Sequence, residues 1–170
     1  FRKDWGMNTE VVILAGPGNN GGDGLALGRM LLQIGYEVQL ILLHSGKISA
    51  DCKINKERLQ EYFPDFFTEQ TGRFDPPEMT KETVIVDALF GSGLSKPVDG
   101  IFKKAIEWIN GCPNRVVSVD IPSGLPGEAC APDTDCVVEA DITYSLQFPK
   151  LAFLFPENEK DVGKWKVIDI

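Results

Sequence analysis

The stretch Ala15-Gly16-Pro17-Gly18-Asn19-Asn20-Gly21-Gly22-Asp23-Gly24 joins an apolar run at residues 11–14 to an amphipathic segment at residues 25–32. Its glycines, asparagines and single aspartate carry little side-chain bulk, so the chain can turn tightly here. Glycine allows positive φ and close backbone approach, and a helix starting at the end of such a turn offers unpaired N–H groups to an anion or polar ligand. A tight strand-to-helix connection without a ligand is the ordinary reading of an isolated G-x-G-x-x-G. The unbroken Asn-Asn-Gly-Gly-Asp favours the ligand-cradling turn.

Outward from this turn, residues 11–15 are a continuous β-branched-rich run of the kind that fills a parallel sheet covered on both faces. Further strands are expected at residues 38–43, 84–89, 115–120, 142–146 and 165–170, with a short one around 66–67. Apolar residues at helical spacing predict helices over 22–35, 48–63 and 98–110, stopped by Gly35, Pro64 and Gly111. Residues 1–10 form a lead-in without a clean period. Strands alternating with helices imply right-handed crossovers, hence one domain built as a three-layer α/β/α sandwich with a Rossmann-like, mostly parallel sheet.

The chain has 170 residues and a net charge of −8, which argues against a general nucleic-acid or anionic-membrane surface. No apolar run approaches membrane-spanning length. Cys52, Cys112, Cys130 and Cys136 show no CxxC spacing, and His44 is the only histidine, so a zinc site is not expected. Cys130 and Cys136 flank a loop that a disulfide would suit, but without a secretory segment free thiols and a cytoplasmic location are expected.

In open parallel sheets ligands bind outside the carboxyl ends of the strands, so the residues that follow each strand matter most. Three expected strands end in polar chemistry: the opening turn, Asp87-Ala88-Leu89-Phe90-Gly91-Ser92-Gly93-Leu94-Ser95-Lys96-Pro97, and Asp120-Ile121-Pro122-Ser123-Gly124-Leu125. Singly, each has an ordinary explanation as a turn or as a carboxylate bonding loop amides. Asp87 and Asp120 end apolar runs, however, where a carboxylate must be paired, hydrated or functional.

A conventional dinucleotide site needs an acid at the end of the second strand. Here that strand ends in His44-Ser45, with Glu37 before it and Asp51 beyond, which disfavours hydride transfer. His44 is read as a strand-end surface residue. Ser123 lies in Pro-Ser-Gly-Leu, outside a G-x-S-x-G elbow, and no GK[ST] completes a P-loop. Carboxylate acid/base chemistry remains.

Three pieces together resemble the YjeF N-terminal domain family of NAD(P)H-hydrate epimerases. They are residues 16–24, residues 86–94 (Val-Asp-Ala-Leu-Phe-Gly-Ser-Gly-Leu) and residues 119–125 (Val-Asp-Ile-Pro-Ser-Gly-Leu), with Pro149-Lys150 as a further match. The resemblance implies interconversion of the R and S forms of NADH and NADPH hydrated at C6 of the nicotinamide ring. It implies substrate contacts from Asn19, Asn20, Gly21, Gly22 and Asp23, from Gly91, Ser92, Gly93, Leu94, Ser95, Lys96 and Pro97, and from Asp120. It also implies a potassium ion held by Asn20, Asp87 and Ser123 with backbone carbonyls, an all-oxygen set suited to a hard cation. C6 is a hemiaminal carbon, so inversion needs a proton moved at its oxygen; Asp120 is the candidate acid/base, with Lys96 assisting.

Family members have a helical segment before the first strand, and some are fused to a dehydratase. The sequence is therefore read as the epimerase part of a longer chain, assembling as a homodimer. A non-catalytic dimerisation scaffold is the competing reading, but scaffolds of this fold are expected to lose the Asn-Asn-Gly-Gly-Asp and Asp-Ile-Pro-Ser-Gly chemistry, and this chain keeps both.

Overall fold

The computed structural model describes residues 4–94, 96–129 and 136–169. Its sheet has seven strands in the order β3-β2-β1-β4-β5-β6-β7: β1 Glu10–Ala15, β2 Glu37–Leu43, β3 Phe67–Gln70, β4 Val84–Ala88, β5 Val116–Val119, β6 Ile142–Leu146 and β7 Lys164–Ile168. Every pairing is parallel, so "mostly parallel" understates the sheet. Parallel neighbours need crossovers, and α1 Asn19–Gln33, α2 Ala50–Tyr62 and α3 Gly100–Gly111 supply those from β1 to β2, β2 to β3 and β4 to β5.

Alternate residues of β1 feed two cores. Val11, Ile13 and Ala15 pack with Leu25 and Leu31 of α1 and Cys52 and Leu59 of α2. Val12 and Leu14 pack on the other face with Ile101, Ala105, Ile106 and Ile109 of α3. That is why the central strands are continuously apolar while α3 is two-sided. A smaller core of Ile121, Leu125, Val137, Ala152, Phe153 and Val162 sits beyond β5. It is bounded by short helical turns at Leu151–Leu154, Pro156–Asn158 and Glu159–Val162, too brief to leave a period in the sequence. The lead-in is tied down as well: Tyr36 donates its hydroxyl to the Trp5 carbonyl at 2.7 Å, and Lys166 meets Asp4 at 2.6 Å. No helix among the described residues is long and apolar enough to cross a membrane.

The main correction concerns the opening turn. Helix α1 begins at Asn19 rather than Gly22, so Asn19–Asp23 form its first turns. None of Gly16, Gly18, Gly21, Gly22 and Gly24 has positive φ. The glycines are required by proximity instead. A methyl at Gly16 would overlap the Leu89 carbonyl, one at Gly21 the Gly16 carbonyl, and one at Gly24 would lie 2.5 Å from the Ala88 Cβ. Glycine lets this helix lie against the strand ends despite its low helix propensity.

Candidate active site

At the carboxyl ends of β1, β4 and β5 lies an open cleft of about 580 Å³. One wall is Gly18, Asn19, Asn20 and Asp23; the segment after β4 contributes Leu89–Leu94 and Lys96; Asp120 closes it from β5. Gly18 occupies the N-cap of α1 without a side-chain cap, so the first helical amides keep their donor capacity for a ligand. The three loops thus converge on one space. Gly21 and Gly22 lie buried behind the wall, and Pro97 is exposed outside the lining. Ser95 and Cys130 lie outside the described residues.

Beneath the cleft sits a polar knot. Asp87 is fully buried, and its carboxylate accepts from the Ser118 hydroxyl and Ser123 N–H (both 2.8 Å), the Ser123 hydroxyl (2.5 Å) and Leu89 N–H (3.2 Å). Burial pushes its pKa up, and these four donors oppose that rise. The Ser123 Oγ also accepts from Phe90 N–H at 2.8 Å, which ties β4, β5 and the intervening loop together. Asn20 donates its amide to the Phe90 carbonyl at 2.8 Å, while its own Oδ1 is buried without a partner. The orphaned acceptor of Asn20 and the Asp87 carboxylate, whose described donors are all neutral, are linked through Phe90 and Ser123, and together they are groups that a cation would satisfy. Among the described residues no group of three or more His, Cys, Asp and Glu converges, so softer metal chemistry has no ligand set there.

Asp120 is the strained member. Its φ of +66° is the left-handed region, uncommon outside glycine and tolerated best by Asn and Asp. The backbone is held there by its N–H donating to the Tyr144 carbonyl at 2.8 Å. Its Oδ1 receives Leu146 N–H at 3.2 Å and the Lys150 ammonium at 2.7 Å. Lys96, the assistant expected from sequence, lines the cleft as an exposed residue, and the described contacts pair Asp120 with Lys150 instead. The only sequence trace of that pair was Pro149-Lys150 following the fifth expected strand.

His44 does find an orienting partner, Glu69 at 2.7 Å, supplied by β3 some distance along the chain. Lys56 joins the same carboxylate at 2.5 Å. Burial works against Glu69's charge, yet the hydrogen bonds from Lys56 and His44 hold its pKa below the usual range. This cluster lies apart from the cleft lining, as a strand-end surface group should.

Asp23 faces the cleft from α1, and partial burial, with Asp120 and Asp51 nearby, raises its pKa. A carboxyl whose folded pKa exceeds its unfolded value favours folding at low pH and loses that contribution as pH rises through the folded pKa. At neutral pH the ionised Asp23 therefore costs stability. Asp23→Asn should stabilise the protein at pH 7.5, seen as a higher melting temperature, by less than about 1 kcal/mol because the residue, though partly desolvated, keeps much of its surface in water. The gain should shrink toward pH 4, and an equal gain at both pH values would contradict the assignment.

The sequence profile of the family described as "YjeF-related protein N-terminus" matches residues 2–152. The chain is 38% identical over 158 residues to the bifunctional NAD(P)H-hydrate repair enzyme Nnr of Thermofilum pendens, covering 91% of this chain and 30% of that one. It is 34% identical over 164 residues to the NAD(P)H-hydrate epimerase of Lentilactobacillus buchneri, covering 95% and 73%. The crystal structure of yeast ynu0, YNL200c, superposes with a TM-score of 0.68 at 25% identity, covering 86% of this chain and 61% of that one.

Proposed function

The chain belongs to the YjeF-related protein N-terminus family, and from that membership we propose that it is an NAD(P)H-hydrate epimerase, interconverting the R and S forms of hydrated NADH and NADPH. The observation that carries the reading is the convergence of Asn19, Asn20 and Asp23, of Gly91–Leu94 and Lys96, and of Asp120 on one cleft at the carboxyl edge of the sheet. A scaffold has no use for that arrangement. The first amides of α1 bind anionic oxygens of the dinucleotide, the glycine-rich segment after β4 closes over it, and Asp120 handles the proton at the C6 oxygen. Incubation with R-hydrated NADPH and a purified S-specific dehydratase tests this. Recovery of NADPH faster than the spontaneous rate is expected, and no acceleration would reject the epimerase reading. The same proposal includes a homodimer and a dehydratase partner, fused or separate; the bifunctional relative supports the latter.

Potassium forms part of this proposal. Asn20 through its unpartnered Oδ1, Ser123 through Oγ and Asp87 through its charge would hold the ion, which when bound supplies a fixed positive charge beneath the cleft. Ligand that binds only the folded state stabilises it, so potassium at a hundredfold excess over Kd should raise the melting temperature by about 5–10 °C. Asn20→Ala should lose most of that rise, and an unchanged response in this variant would place the ion elsewhere.

A further inference from the structure

The contact between Lys150 and Asp120 bears on how the C6 centre is inverted, and the inference below rests on the epimerase reading and deepens it. Both partners are sheltered, with side chains 18% and 16% exposed. Lys150 is held in place further by the carbonyls of Leu146 and Phe148, 3.4 and 3.5 Å from its Nζ. The turn that carries it is itself specialised. Gln147 has φ +62°, its N–H donates to the Ile168 carbonyl at 2.8 Å, and the Ser145 hydroxyl donates to the Phe148 carbonyl at 2.6 Å. A lysine loses considerable rotamer freedom when fixed this way, which an incidental surface pair does not justify.

Among the described residues the contacts are also one-sided. The ammonium and Leu146 N–H both fall on Oδ1. Oδ2 lies on the side of Gly91, where an added Cβ would sit 3.7 Å from it, so this oxygen borders the segment after β4 that lines the cleft. The Lys150 ammonium, 2.7 Å from Oδ1, makes a charge-assisted contact on that oxygen alone.

We propose that Lys150 is a positioning residue that holds Asp120 as a carboxylate with Oδ2 alone presented to the substrate, and that inversion accordingly runs by ring opening with the C6 oxygen retained. Oδ2 takes the proton from the C6 hydroxyl; the O–H electrons form the C6=O bond; the C6–N1 bond breaks with its pair on the ring nitrogen. That nitrogen receives the same proton from Oδ2, which reaches both atoms because both were bonded to C6. Rotation of the freed aldehyde and the reverse sequence on its other face give the epimer, with no atom gained or lost. The alternative, departure of the hydroxyl as water, would need a proton delivered to the C6 oxygen by the side chain that this geometry pairs with the Lys150 ammonium.

Two measurements test the proposal on the full chain. In water enriched in oxygen-18, the epimer formed should carry no more label than the uncatalysed background. One solvent oxygen incorporated per inversion would overturn the route while leaving the epimerase reading intact. Lys150→Met should lower kcat by about a hundredfold with KM changed less than threefold, and Lys150→Arg should recover part of the loss. Normal kcat in a folded Lys150→Met variant, or a loss confined to KM, would overturn the positioning role. If the wild-type chain epimerises neither hydrate, the functional reading fails first, and this inference falls with it.

Discussion

Asp120→Asn is expected to lower kcat for epimerisation by about a thousandfold, the middle of the range for loss of a general acid/base, while changing substrate binding by less than about threefold. Asparagine is the informative replacement. It tolerates the left-handed backbone that Asp120 adopts at φ +66°, and it keeps an oxygen for the Leu146 N–H. What it removes is the negative charge opposite Lys150 and the capacity to accept a proton. Alanine would lose the carboxylate but also strain a backbone that disfavours a plain Cβ, mixing catalysis with folding. Turnover by the coupled assay and binding by calorimetry separate the two, and near-normal turnover in Asp120→Asn would remove Asp120 from the chemistry.

Gly21→Ala should destabilise the protein by about 3 kcal/mol or more, against the sign that helix propensity alone gives. In an open helix that change would stabilise by about 1 kcal/mol. Here the added methyl would overlap the Gly16 carbonyl, part of the backbone rather than a side chain that can swing aside. The helix would have to lift from the strand ends, taking Asn20 and its bond to Phe90 with it. Gly18→Ala is the matching control. Its φ is −86° and nothing lies within 4 Å of the added Cβ, so only the weaker N-cap preference of alanine is felt, a loss of no more than about 1 kcal/mol. Denaturant unfolding of both variants checks this, and equal stabilities would show that the helix can retreat at little cost.

Most of the frame was legible because buried parallel strands leave continuous apolar runs. The runs before Gly16, His44, Asp87–Ala88 and Asp120 all proved to be strands, and the three polar loops that follow three of them do share one cleft. The start of α1 was misplaced because glycine reads as a turn residue in sequence, whereas at Gly22 and Gly24 it answers to neighbours from α2 and β4, and at Gly21 to the Gly16 carbonyl. Lys150 and Glu69 escaped for a related reason. Each finds its partner, Asp120 or His44, through adjacent strands of the sheet, and no spacing along the chain encodes that meeting. The left-handed backbone at Asp120 was equally invisible, since nothing in Val-Asp-Ile-Pro distinguishes a strained aspartate from an ordinary one.

An all-parallel sheet also decides when such a cleft can come into being. The central pairing joins Val11 to Val84, so it must close a long stretch of chain before any ladder bond offsets the loss of freedom. Strands β1, β2 and β3, following one another in sequence, can associate early and give most of the helical signal of α1 and α2. The cleft needs β4 and β5 in place beside β1, because its walls come from all three. During refolding, recovery of activity should therefore lag behind recovery of secondary structure, and a chain interrupted before β4 would hold half a cradle with nothing facing it.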